Sequence, residues 1–447
     1  MTSTRASERS AEGKGACRFL CRKPGRWALL LFGALVIHLT SGAAEEKKPE
    51  VLCVVGGDLY TITDGILKGG TILCRDGKIE EIGRGVTVPK DAKVIDAKGK
   101  AVMPGMVAAR ASVGVFSGSD KIAEALDPMS LGLELAAASG ITAGYVVSGG
   151  PSGDNPLGGT NAALKFTFGA LDSMVLREPA SLNVRFGPSA PVQSFAFREG
   201  LRQAREYLRK QGQHQADQKA GKKVPAPAKP NGADDYIALL TRRLPARLQP
   251  RDQNDILAAL RLVDDYEIRL ILDGGTEAWP LATQIAKRNA SVILCPRDKQ
   301  VANEFVSRPT GSSPQTAALL ARAGIPLALV PPSPVFSADW IGSDLQTLTF
   351  SAAFAVQGGL PEDAALEAIT LGPARILGVA DRIGSLQVGK DADFLVLDGS
   401  PLDIHTFVET TVINGKVCYE KNKSTFFARV KRRQEGAKEE AATAPGK

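Results

Sequence analysis

Hydrolytic metal sites are built from imidazoles, thiolates and carboxylates, and this chain offers three histidines: His38, His214 and His405. None is spaced as a ligand pair. His38 lies in an apolar N-terminal run, His214 in a Gln-rich polar stretch, and His405 in a β-rich C-terminal region. Beyond Cys17 and Cys21, the cysteines Cys53, Cys74, Cys295 and Cys418 stand too far apart for a CxxC zinc or redox motif. They could pair as disulfides or remain buried thiols on strands, and spacing does not decide. Ser112 or Cys295 as a nucleophile would need an adjacent base, and no histidine is near either one. Lys165 could be that base if burial or charge lowered its pKa. The carboxylate pairs Asp273/Glu277 and Asp339/Asp344 could serve acid–base chemistry only if both members faced one cleft. The run "GGPSGDNPLGGTN" lacks both the Walker Lys-Ser/Thr order and the GxGxxG spacing. It reads as a connector or lid over a site.

The elements that would position these groups follow from turns and alternation. Residues 51 to about 103 are short β-rich runs separated by Gly-containing turns, with Asp76-Gly77 at the tip of a hairpin. The same style returns in "IGSLQVGKDADFLVLDGSP" and "TTVINGKVCYE", where Asn414-Gly415 is a second hairpin turn. Between them strands and helices alternate: "ITAGYVVSG", "LPARLQP", "IRLILDGG", "SVILCP" and "IPLALVPP" each neighbour helical stretches. Such alternation predicts an α/β fold, a parallel TIM-type (β/α)8 barrel. The two β-rich ends predict one small β-sandwich domain, from residues 45–103 and 383–422, around a barrel at 104–382. A basic helix followed by a Lys/Ala/Pro linker, about 210–233, breaks the rhythm as a low-complexity insertion. It is expected to be solvated, or to be an arm that docks an acidic partner.

Composition is that of a globular chain: 44% hydrophobic and 23% charged residues over 447 positions. The net charge of +7 comes without a basic stripe interleaved with aromatics, so no nucleic-acid partner is expected. Residues 1–44 read as an export signal: basic residues to Arg26, the apolar core "WALLLFGALVIHL", then "TSGAA" for cleavage. The expected location is the periplasm or cell envelope, soluble after cleavage; an uncleaved N-terminal membrane anchor is the alternative. Residues 423–447 are polar and mixed in charge, the pattern of a disordered tail.

Three stretches, "GGTILCRDGKIEEIG", "VIDAKGKAVMPGMV" and "LEAITLGPARILGVADRIGSLQVGKDADFLVLDGSPLD", together resemble the amidohydrolase superfamily, in the branch of imidazolonepropionase-like exported enzymes. The segment "GGTNAALKFTFGALDSMVLREPASLNVRFG" is similar to that branch as well. The resemblance implies a distorted (β/α)8 barrel with a small composite β-domain. It also implies Zn or another divalent metal at the barrel mouth, where bound water becomes hydroxide and attacks a polarised carbonyl.

The superfamily's ligand positions fall here on other residue types. After "PGMV", an Asp-x-His-x-His pattern is matched by Ala108, Ala109, Arg110, Ala111 and Ser112. The fifth-strand histidine falls on Gln249 or Arg251, the sixth on Gly274 beside Asp273, and the eighth-strand aspartate near Pro332. Lys165 is the residue that resembles a lysine ligand. A guanidinium stays protonated and repels a cation, so no metal cofactor is expected. The mouth residues Arg110, Ser112, Lys165, Gln249, Arg251 and Asp273, with Cys295, are the candidate ligand-binding set. They would hold a small anion through Arg110 and Arg251, unless the arginines pair with Asp273 and fill the cavity. The expected function is that of a non-catalytic, amidohydrolase-like binding or scaffold protein, as a homo-oligomer or with an active homologue. An active hydrolase of non-peptide carbon–nitrogen bonds with an atypical site is the alternative.

Overall fold

The computed structural model describes residues 49–111, 113–114, 122–146, 149–302, 310–332 and 347–424. Residues 1–48 (which include the segment expected to be an export signal), Ser112, the Asp339/Asp344 pair and the tail from 425 lie outside the described residues. Sixteen strands are found: β1 (Val51–Tyr60), β2 (Ile66–Arg75), β3 (Lys78–Gly83), β4 (Lys93–Asp96), β5 (Ala101–Pro104), β6 (Met106–Ala111), β7 (Ile141–Val146), β8 (Leu157–Lys165), β9 (Val175–Val184), β10 (Ala246–Leu248), β11 (Leu270–Asp273), β12 (Ser291–Leu294), β13 (Leu327–Leu329), β14 (Phe394–Leu397), β15 (Val408–Ile413) and β16 (Lys416–Glu420). They form two eight-stranded sheets.

The first sheet joins the chain ends. Its order is β16-β15-β14-β5-β1-β2-β3, with β4 also paired to β1. Both hairpin turns occur where Asn-Gly and Asp-Gly predict them. Asp76 and Gly77 have φ of 47° and 79°, Asn414 and Gly415 of 52° and 72°, the left-handed pair of a type I′ turn. One face of the sheet buries Leu52, Val54, Ile72, Val102, Phe394, Val396 and Val412, so residues from both ends share one core. The opposite face contributes Ala101, Met103, Leu395 and Leu397 to the barrel's outer core.

The second sheet runs β6 to β13 in chain order and forms the barrel. Side chains alternate as a closed sheet requires. Ala109, Ile271, Ile293, Cys295, Ala328 and Val330 cluster on the inner side, while Leu270, Leu272, Val292, Leu294, Leu327 and Leu329 join the outer core with the helices. The ring is completed between β13 and β6 by two successive carbonyls: Leu329 N–H donates to Ala368 O (2.8 Å) and Val107 N–H to Ile369 O (2.9 Å). The helix Leu371–Leu377 then packs Ile376 against the inner cluster. Gly372 of this helix sits so close to β13 that an added Cβ would lie 2.3 Å from the Leu327 carbonyl oxygen. Gly372→Ala is therefore expected to destabilise the fold by about 1–3 kcal/mol, read as a lower unfolding midpoint in urea.

Two features depart from the sequence expectation. The barrel is not all parallel: β8 runs antiparallel to both β7 and β9. The helix that opens the insertion also runs past residue 210, where the low-complexity stretch is expected to begin. A single helix spans Pro191–Lys219, and a non-helical return follows to the helix Ala233–Leu240. Good helix formers and Glu-Arg pairs at i,i+3 spacing carry the helix past its last buried residue, Ala204.

Candidate functional site

The C-terminal ends of the parallel strands bring together Arg110 from β6, Arg247 and the following Gln249 from β10, and Asp273 from β11. Asp273 is 2% exposed. Its Oδ1 accepts from Arg110 Nη2 at 2.5 Å, and its Oδ2 from Arg247 Nη2 and, at 3.4 Å, from Gln249 Nε2. Burial alone pushes the Asp273 carboxyl up; the Arg247 and Arg110 guanidiniums outweigh it and hold the pKa below the usual carboxylate range. Arg110 reaches this position through a β-bulge: Ala108 pairs with Gly144 but Ala111 with Val146, so β6 carries one extra residue there. Bulges re-aim side chains in this way.

Beneath the ion cluster lies a polar network inside the barrel. Arg247 Nη1 donates to Asn183 Oδ1 (3.3 Å), and its guanidinium stacks 5.1 Å from the centre of the Tyr145 ring. Asn161 donates to Ser181 Oγ (2.7 Å), Asn183 Oδ1 (2.8 Å) and Tyr145 Oη (3.3 Å). Burial is the main reason the Tyr145 phenol is pushed up, so it stays protonated. The Nε atoms of Arg110 and Arg247 are buried and have no hydrogen-bond partner among the described residues.

The sequence-predicted residues divide. Arg110, Gln249 and Asp273 come together. Arg251 does not join them: it is exposed beyond β10, its N–H bonded to Asp255 and its carbonyl to Gln300. Cys295 is buried in the inner cluster, and desolvation raises its thiol to about 12. It remains a thiol and is no ready nucleophile. Glu277 is taken up as acceptor for the N–H groups of Gln253 and Gly311, not as a partner acid for Asp273. His405 is exposed beside Asp403, and His214 lies on the long helix. The four described cysteines are free.

Lys165 requires a correction. Because β8 is antiparallel, its C-terminal end lies level with Ala143 near the start of β7, away from the mouth. There Lys165 is fully buried against the composite sheet. Its Nζ lies 2.7 Å from Asp391 Oδ2 and 3.0 Å from Asp393 Oδ1, and it also donates to Asn414 Oδ1. Lys165 joins the two sheets and does not serve the mouth.

A family model described as "Amidohydrolase family" matches residues 352–419. The solved structure of an amidohydrolase from Thermotoga maritima MSB8 is 26% identical, with a TM-score of 0.69 over 83% of this chain and 100% of that one. The chain belongs to the amidohydrolase superfamily. The amidohydrolase tasK of Hapsidospora irregularis is 22% identical over 75% of this chain, and imidazolonepropionase of Syntrophobacter fumaroxidans is 49% identical over 12% of it. These matches span 38% and 13% of the two relatives' own lengths.

As an amidohydrolase-superfamily barrel, this mouth can be tested for fit to a divalent metal. Two guanidiniums face the buried Asp273 carboxylate, and both of its oxygens are already engaged. Among the described residues, no group of three or more His, Cys, Asp or Glu side chains is placed to hold a metal ion. These residues do not fit the superfamily's usual cation. Also among the described residues, no helix is long and apolar enough to cross a membrane.

The sequence reading missed Arg247, Asn161, Ser181, Asn183 and Tyr145. A signal existed: polar residues at alternate positions within apolar strands, as in "SLNV" and "ARL", mark an inward-facing polar layer.

Proposed function

We propose that this superfamily barrel works without a resident divalent metal, as an exported binding or scaffold protein that takes a small anion at its mouth through Arg110 and Arg247. The observation that carries the reading is Asp273 clamped between these two guanidiniums. The clamp sets two guanidiniums on one carboxylate, and among the described residues the buried Nε groups of Arg110 and Arg247 have no acceptor. A carboxylate or phosphate oxygen is the acceptor that such donors suit. Arg251, first expected in this role, is replaced by Arg247, which lies on the strand itself. Self-association, or assembly with an active homologue, would give a scaffold its partner.

A second reading, an active hydrolase of non-peptide carbon–nitrogen bonds, draws support from the 26% identity to the amidohydrolase of Thermotoga maritima along its whole length. Metal analysis of the purified chain separates the two. The expected result is a substoichiometric metal content after dialysis. One tightly held divalent ion per chain together with amide hydrolysis would overturn the first reading. Calorimetric titration with acetate and with inorganic phosphate tests the ligand. Arg110→Ala is expected to abolish the heat, and equal heats from both proteins would end the anion proposal.

A further inference from the structure

The helix Pro191–Lys219 and its return through residue 232 form an arm. The helix buries Phe197, Leu201 and Ala204 and nothing beyond them. Its last fifteen residues therefore extend about 20 Å as a surface element. Residues 191–232 carry nine of the chain's 55 Lys and Arg but three of its 48 Asp and Glu. The arm thus carries a net charge of +6 (nine cations less three anions); residues 1–26 are also basic, with seven Lys and Arg against two Glu.

Local neutralisation does not consume the excess. Within the arm, Glu199, Glu206 and Asp217 pair with Arg202, Arg209 and Lys222. Outside it, Asp265 and Asp234 take up Arg198 and Lys229. Arg205 lies over the Tyr266 ring, and Lys210 shares Glu206 at 3.6 Å. The helix C-terminus accounts for about half a unit of negative charge, yet Lys219, Lys222 and Lys223 all gather there. The tip is concave: an open notch of about 550 Å³ is lined by Gln218, Gly221, Lys222, Lys223, Val224 and Pro225.

We infer that the arm is an interaction surface whose tip, around Lys219, Lys222 and Lys223, docks an acidic polypeptide through carboxylate–ammonium pairing. The chemistry of the arm disfavours other polyanions. Base stacking needs exposed aromatic faces, and the arm beyond Arg205 has one aromatic, Tyr207, which is half-buried. Insertion into a lipid interface needs an apolar helix face, and the large apolar side chain exposed beyond Arg205 is Val224 alone. Ammonium groups on flexible stems without a forked geometry suit carboxylates on a mobile acidic segment.

The test uses the full chain and three probes: fluorescent poly-L-glutamate, phosphatidylglycerol vesicles and a DNA duplex. Polyglutamate should bind, with an affinity that falls as salt is raised. The combined Lys219→Gln, Lys222→Gln and Lys223→Gln variant should bind it about tenfold more weakly, with circular dichroism and unfolding midpoint unchanged. Arg110→Ala should bind polyglutamate like the unaltered chain, which separates the arm from the barrel mouth. Equal binding by the triple variant, or tighter binding of vesicles or DNA than of polyglutamate, overturns the inference.

Discussion

Lys165→Met is expected to lower the unfolding free energy by about 3–5 kcal/mol, the loss associated with removing one partner from a buried ion pair. Lys165 is 0% exposed, and its three ammonium donors meet three acceptors, on Asp391, Asp393 and Asn414. Methionine keeps the length of the stem and removes the charge. The two aspartates are not left in the same state. Asp391 retains Lys78 and Arg382, whereas no cation other than Lys165 pairs with Asp393 among the described residues. Burial already pushes the Asp393 carboxyl up against the opposing effect of Lys165. Adding Asp393→Asn to Lys165→Met should recover part of the loss, because it removes the stranded acid. Urea unfolding of the two single variants and the double variant measures this coupling. A Lys165→Met loss below about 1 kcal/mol, the scale of an exposed pair, would show that the two sheets do not depend on this contact.

Asp273→Asn should be about as costly and should also change the acid limb of stability. The substitution leaves Arg247, 2% exposed, without its ion-pair partner among the described residues and facing Arg110. Leaving a charge buried and unpaired costs about 3–5 kcal/mol. The sign with pH follows from the depressed pKa of Asp273. A carboxylate whose folded pKa lies below its unfolded value, about 3.9, stabilises the fold above that unfolded value. The contribution disappears as pH falls through the folded pKa. The stability difference between the unaltered chain and Asp273→Asn should hold from neutral pH to about 4 and shrink below it. A difference independent of pH down to acid unfolding would mean that the ionised carboxylate contributes nothing.

Both predictions concern residues that the sequence singled out, yet it placed them unevenly. Asp273 was legible because a strand followed by Gly-Gly puts its last side chain at the mouth of a parallel barrel. Arg110 was legible as the charged residue where a ligand histidine is expected, although the bulge that turns it toward Asp273 was not. Lys165 was assigned to the wrong end of the barrel. Its strand reads the same in either direction, and its antiparallel course is fixed by pairing with Ala143–Val146 and with β9. Arg251 and Arg247 are four positions apart in one segment. Which of them faces the interior depended on where β10 ends, a boundary set by hydrogen bonds to β9 and β11.

The sequence by itself determined the local and the compositional. Asp-Gly and Asn-Gly set the two hairpin turns, because few other pairs tolerate two successive left-handed residues. Alternating strand and helix set the barrel, because period and length are local properties of the chain. Of the three histidines, the two described ones lie away from the barrel-strand ends, His214 on the long helix and His405 beside Asp403. Only the tertiary structure decided strand direction, the end of the barrel at which Lys165 is buried, and the guanidinium that meets Asp273. Those depend on hydrogen-bond register between segments distant in sequence. A register shift of one residue moves a side chain from the interior to the opposite face, and nothing within the segment itself records that choice.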